Sequence, residues 1–345
     1  MDNEDNSPIV FYQYFDTTST DYFQRRVRER FRETGHRREI DFRIWDCYDE
    51  PPGRDGDIFS YDCIVLNALC DKGYLRQLPE IVDTEGVFQW MLDTTKIKRK
   101  LYALPFITCF NAIICRRRDY TGIDNIFDIK GQLVAPLRSM ISTYYLMSFC
   151  SYQDRPMSRL NESDFDSNAV RVMSLLAELM GGREAVERSA FSTFDGIERF
   201  NSGEVKYFLG FTENLRLMDR DDYVVVPANF SDQKEISIPL FSTDVLSIGA
   251  NVREDKLLDC IDLIEIITDA DFEYDLCAPE GELHYMLPAN ERVYHRLMEK
   301  DSIYRQLLDI VANDENCVFR FAKSYYEKLP GMERALLAAL GGNAK

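Results

Sequence analysis

Apolar and polar positions alternate along Ile9-Val10-Phe11-Tyr12-Gln13-Tyr14-Phe15, a β-rich run that reads as a first strand. Asp16 to Thr20 supply cap residues for a helix of roughly four turns to Thr34, where Gly35 stops it. Its arginines at 25, 26, 28, 30 and 32 read as an exposed face paired with Glu29 and Glu33, in preference to a phosphate-binding face. Glu39 to Trp45 predicts a second strand, followed by a Pro-, Gly- and Asp-rich loop through Asp57. Tyr61 to Asn67 predicts a third strand, with a helix running on through Gly73-Tyr74-Leu75. This strand–helix rhythm predicts a parallel sheet with right-handed crossovers. Ligands of such sheets bind at the carboxyl ends of the strands, a rule that brings Tyr12, Tyr14, Asp46, Tyr48 and Asp62 towards one edge.

From Lys100 the pattern changes. A short apolar run meets Pro105, where Leu104-Pro105 predicts a bend. The chain then reads as a buried strand to Cys115, interrupted by Thr108, Cys109 and Asn111, which sets Cys109 at the rim of a cleft. Beyond it the pattern predicts a loop and a new strand within 126–136, a helix from Ser142 to about Tyr152, a polar stretch at 153–168 and a helix from Ala169 to Gly181. There follow a short helix from Phe194 to Asn201, a strand Val205–Phe211 ending in Thr212-Glu213-Asn214, a strand Tyr223–Pro227 and a strand Ile238–Ile248 containing Asp244. From Glu254 onward the pattern is helical, apart from a turn at Pro279-Glu280-Gly281 and a break at Leu287-Pro288.

The order implies a two-domain α/β clamshell. Residues 1–108 with 245–345 form a discontinuous first domain with C-terminal helices, and 109–244 form the second. Hinge crossings fall near 107–117 and 236–246, one carrying Cys109 and the other Asp244. The cleft between the domains is the default binding site.

Length supports this division, because 345 residues are long for one core. Lys+Arg 41 against Asp+Glu 59 gives a net charge of −18, which argues against nucleic acid and suits a cationic small molecule. No apolar run approaches the roughly 20 residues of a membrane span. The acidic N-terminus lacks the pattern of a secretory signal. The nine cysteines are odd in number and scattered, as expected for free thiols in a reducing, cytoplasmic setting. The only histidines are His36, His284 and His295, and no CxxC pair exists, so neither a structural metal site nor a His-based triad is expected. No cofactor is implied, and the chain is expected to act as a monomer.

With these residues placed, the chain resembles thiaminase I, the thiamine pyridinylase family, whose fold is that of two-domain periplasmic binding proteins of the two-crossover type (type II). The resemblance is patchy but runs over most of the chain. Tyr102-Ala103-Leu104-Pro105-Phe106-Ile107-Thr108-Cys109 resembles the segment carrying that family's nucleophilic cysteine. Gly210-Phe211-Thr212-Glu213 resembles its Gly-Tyr-Ser-Glu segment, which supplies the general base. Tyr61-Asp62 before Gly73-Tyr74-Leu75 resembles its Phe-Asp strand, and Asp244 stands where a pyrimidine-binding aspartate is expected. Tyr12 and Tyr14 are similar to the aromatic pair of its first strand, and Asp46-Cys47-Tyr48 to a further cleft segment. Two departures bear on substrate: Phe211 stands where a tyrosine is usual, and Ser242 replaces another aromatic. A further acidic ligand is expected shortly before Lys100, with Asp83, Glu85 and Asp93 as alternatives.

The resemblance implies Cys109 as nucleophile and Glu213 as its base, with Asp62 and Asp244 on the aminopyrimidine and Tyr12, Tyr14, Tyr48 and Phe211 lining the rings. A thiolate suits addition to a pyrimidine, and with no histidine near the motif a carboxylate must take its proton. The implied partners are thiamine or an analogue and a nucleophilic acceptor, with a covalent intermediate between them. Two other readings stand beside this one: a related cysteine-dependent enzyme acting on another heterocycle, and a solute-binding protein without chemistry.

Overall fold

The computed structural model describes residues 7–14, 19–123, 125–130, 133–136, 167–182, 193–230, 240–313 and 317–318. The helix expected at 142–152 and most of the polar stretch at 153–168 lie outside the described residues. In chain order the strands are β1 Ile9–Tyr14, β2 Ile40–Trp45, β3 Ile58–Asp62, β4 Lys96–Ile97, β5 Lys100–Leu101, β6 Leu104–Arg116, β7 Leu133–Val134, β8 Tyr207–Phe211, β9 Tyr223–Pro227, β10 Leu240–Ile248, β11 Leu287–Pro288 and β12 Cys317–Val318. The chain divides into two compact units. One is chiefly Met1–Thr108 with Ser242–Tyr304, the other chiefly Cys109–Phe241 with Arg305–Cys317.

In the first unit β1 lies between β2 and β3, parallel to both, in register from Ile9↔Ile40 to Tyr14↔Trp45. The helix Thr20–Glu33 is capped by the Ser19 side chain and buries Phe23, Val27 and Phe31, the spacing of one helical face. Phe23 meets Phe11 and Phe42 edge-on, at centroid distances of 6.0 and 6.3 Å. The arginine-rich face is paired as the exposed-face reading expects: Arg26 with Glu29 and Asp275, Arg30 with Glu33, Arg32 with Glu39.

The strand–helix rhythm predicts parallel strands, but the sheet is mixed. β10 runs antiparallel to β3, from Asp244↔Asp62 to Ile248↔Ile58. β11 runs antiparallel to Ile107–Thr108 of β6. Parallel neighbours follow from crossover connections; β10 returns after the whole of Cys109–Phe241, so no such connection fixes its direction. Leu104-Pro105 is likewise not a bend. Pro105 is the second residue of β6, where a missing N–H leaves the ladder beyond it intact.

Beside β3 the first unit holds a buried ion pair. Lys256 donates to Asp57 at 2.9 Å and to the Pro8 carbonyl at 2.7 Å, and the Val10 N–H donates to the same Asp57 carboxylate at 2.9 Å. Both charged side chains are 8% exposed.

In the second unit the later part of β6 is flanked on both sides by antiparallel partners, β8 (Asn111↔Phe211) and β9 (Ala112↔Pro227), with β7 parallel to β8. Arg116 lies over the Phe200 ring at 4.6 Å and donates to the Phe200 and Asn201 carbonyls. The sequence reading keeps 245–345 together, whereas Arg305–Cys317 groups with the second unit and the return falls at Ser242. Gln306 shows why: its amide accepts from the Val225 N–H at 3.4 Å and donates to the Tyr223 carbonyl at 3.1 Å, fastening its helix to β9.

Candidate active site

The first unit gathers acids at the end of β3. That strand stops at Asp62, five residues short of the Asn67 limit read from sequence, because the Asp62 side chain accepts the Ile64 N–H at 3.0 Å and caps the turn Cys63–Val65. Capping uses one carboxylate oxygen. The other accepts the Tyr48 hydroxyl at 2.7 Å and the hydroxyl of Ser242. Tyr14 meets the Tyr48 ring edge-on at 6.1 Å. Ser242, which the sequence marks only as a missing aromatic, is thus a hydroxyl donor to the predicted acid.

Asp244 is the cross-strand partner of Asp62. Two carboxylates directly opposite on an antiparallel pair disfavour each other, and here they are 2% and 8% exposed. Burial raises the Asp62 carboxyl above the usual aspartate range, against the opposing pull of the Ser242, Ile64 and Tyr48 hydrogen bonds. Asp62 therefore holds a proton more readily than a solvated aspartate. Cys47, fully buried, reports the same field: burial first, then the charges of Asp62 and Asp244, push its thiol well above the ordinary value. It is a packed thiol and not a nucleophile.

Tyr12 keeps other company. Its hydroxyl donates to Asp55 at 3.0 Å and accepts from Arg43 at 3.2 Å, and its ring stacks on Phe59 at 5.4 Å. The structure therefore brings Tyr14, Tyr48, Asp62, Ser242 and Asp244 together and engages the Tyr12 hydroxyl elsewhere. Of the alternatives for a further acid, Asp83, Glu85 and Asp93 are all exposed; Glu85 pairs with Arg292 and Asp93 with Lys96.

The second unit holds the predicted thiol and its base. Cys109 is half-buried on β6, and Glu213 is half-buried in the turn Thr212–Leu217 that leaves β8. The Asn214 side chain fixes that turn by accepting the Phe211 N–H at 2.8 Å. Gly210 leaves room for it, since a Cβ there would come within 2.5 Å of the Asn214 oxygen. Asn111↔Phe211 is the last pair of the β6–β8 ladder, and the chain then leaves β8 into the turn that carries Glu213. Thr108, the last residue of the first unit, turns to the opposite face, bonding the Thr243 hydroxyl at 2.8 Å and the Ser242 carbonyl at 3.0 Å.

Sequence reasoning passed over one residue here. Asn111 is fully buried, and among the described residues neither atom of its side-chain amide has a hydrogen-bond partner. An unbonded buried polar group costs about 1–3 kcal/mol. The signal was visible as a polar residue interrupting an apolar strand, but burial without a partner has no signature in sequence.

No family model matches the chain. It is similar to thiaminase-1 of Paenibacillus thiaminolyticus, 26% identical over 92% of this chain and 85% of that one. Among solved structures, thiaminase I of Clostridium botulinum in complex with thiamin superposes with a TM-score of 0.87 at 23% identity, covering 96% of this chain and 100% of that one. A maltose-bound MalE3 of T. maritima gives a TM-score of 0.70 at 13% identity, over 96% and 95% of the two chains. The fold is the periplasmic-binding-protein-like one that the resemblance implies, and the likeness to thiaminase I extends over nearly the whole chain.

Proposed function

We propose that this protein is a thiamine-cleaving base-exchange transferase in which Cys109 is the nucleophile and Glu213 its general base. The observation that carries the reading is the buried facing pair Asp62, at the end of β3, and Asp244, in the middle of β10, with hydroxyls and a backbone N–H around Asp62. Such a pair matches an aminopyrimidine, whose amino group donates and whose ring nitrogen takes a proton. A carboxyl raised by burial keeps a proton in place to share with that nitrogen, and the protonated ring is the better electrophile. Tyr14 and Tyr48 supply aromatic surface beside it.

Glu213 takes the Cys109 proton, and the sulfur adds to the pyrimidine ring. Electron density pushed through the ring breaks the bond between the methylene and the thiazolium nitrogen, and the thiazole leaves with the electron pair. Glu213 releases the thiol proton to solvent once the thiazole has left; a second nucleophile then adds to the methylene carbon and gives its proton to the freed carboxylate. The sulfur is expelled, the ring regains aromaticity, and the kinetics are ping-pong. Similarity to the thiamin-bound Clostridium botulinum enzyme supports this choice of donor over other heterocycles. The acceptor class it would use is an amine or a thiol.

Intact-protein mass after mixing with thiamine alone tests the scheme. A pyrimidinyl adduct mapped to Cys109 is expected, with one equivalent of thiazole released as it forms and continued release once an acceptor is added. Cys109→Ser should bind thiamine and release none, and Glu213→Gln should slow turnover by about two to four powers of ten. Unchanged turnover in Cys109→Ser would overturn the assignment.

A further inference from the structure

Asn111 sits in the middle of β6 beside Phe110, Ala112, Ile113 and Ile114, each fully buried. Buried amides are ordinarily bonded, and this one has no partner among the described residues. An apolar side chain of similar volume would suit the place better as packing. What the position does offer is a neighbour. Side chains two apart on a strand project from one face, so Asn111 and Cys109 share a face of β6. The register Asn111↔Phe211 brings the turn bearing Glu213 alongside. A neutral thiol is a weak acceptor and makes little use of an amide donor. A thiolate carries charge, and hydrogen bonds to charged acceptors are shorter and about twice as strong.

We propose that the Asn111 side-chain amide is the hydrogen-bond donor that stabilises the Cys109 thiolate, which makes it a positioning residue; this rests on the reading of Cys109 as the nucleophile. The amide stays unbonded while the thiol is protonated and engages when the sulfur becomes charged. That happens twice per cycle, before attack and again as the sulfur is expelled. The cost of an unbonded amide in the resting protein is thereby converted into preference for the ionised sulfur.

The test reads the sulfur without any substrate. Alkylation by iodoacetamide is followed against pH, peptide by peptide, in native wild type, Asn111→Leu and Asn111→Asp. Both variants remove the donor, and Asn111→Asp also places an acceptor there. The Cys109 midpoint is expected to rise by about one pH unit in Asn111→Leu, a roughly tenfold smaller thiolate fraction at neutral pH, and further in Asn111→Asp. Cys70, also half-buried, should keep its profile in the same samples. Should one variant fail to fold, the other carries the measurement, since they differ in polarity and not in the donor they lack. An unchanged Cys109 midpoint in a folded variant overturns the proposal whatever the protein does to thiamine. A raised midpoint in a protein that releases no thiazole supports it and sinks the substrate reading instead.

Discussion

Asp57 and Asp62 flank the same strand, are both buried, and are treated in opposite ways. Asp57 meets the Lys256 ammonium at 2.9 Å, with a backbone N–H on the same oxygen. Asp62 meets two hydroxyls and a backbone N–H, and faces another carboxylate across the ladder. The first arrangement neutralises a charge that the fold needs where it is. Among the described residues the second has no cation beside it, which leaves an acid able to hold a proton for something else. The contrast teaches that a buried acid is marked for function by the lack of a counter-charge more than by burial itself.

The comparison breaks most visibly at Lys256. Lys256→Met strands Asp57 without its partner, and unfolding by denaturant should show a loss of about 3–5 kcal/mol. Whatever fraction remains folded should still bind an aminopyrimidine normally.

Asp62→Asn should do the reverse. Affinity for a free aminopyrimidine, measured by calorimetry, should fall by about 1–3 kcal/mol because an amide cannot carry the proton that the carboxyl shares with the ring nitrogen, while the protein stays folded. The pH dependence has a definite sign. Burial raises the folded-state value of this carboxyl, so the native chain holds the proton more tightly than the unfolded one. Its contribution to stability is complete below the ordinary aspartate value of about 3.9 and is lost as pH rises through the folded value. Relative to Asp62→Asn, wild type should therefore lose stability as pH climbs from about 4. Parallel curves for the two proteins would show that Asp62 has no raised value.

Ser242→Ala is the finest cut. It removes one hydroxyl from Asp62 and should cost about 0.5–1.5 kcal/mol in binding. Because that hydrogen bond opposes the effect of burial, its loss should raise the Asp62 value further. The pH profile of stability would register the change as a decline extending to higher pH. A profile identical to wild type would leave Ser242 without electrostatic effect on the acid.

Much of this was legible from local pattern. The alternation in Ile9–Tyr14, the apolar run around Cys109 and the strand before Glu213 each announce a strand and the residue at its end. Other features lie beyond local pattern because they join distant segments. Nothing near Asp57 points to a lysine 199 residues later, and nothing near Asp62 announces that Ser242 will stand over it. Pro105 looked like a bend since its effect on a strand depends on which N–H groups the neighbours require. Tyr12 and Tyr14 are equivalent in sequence, and only Arg43 and Asp55 separate their roles.

The late return of β10 also sets a timetable for synthesis. Ser242 reaches Asp62 across 180 residues and Lys256 reaches Asp57 across 199. At about 5–20 residues per second on the ribosome, the opening half of the first unit waits on the order of ten to forty seconds for the strand that completes it. During that interval its β3 edge is unpaired and its acids are hydrated. The strands β7, β8 and β9 emerge within the interval and can close on β6 before β10 exists. A late part of the chain thus finishes the first part, and a nascent polypeptide stalled before Ser242 would present an open sheet edge of the kind chaperones bind.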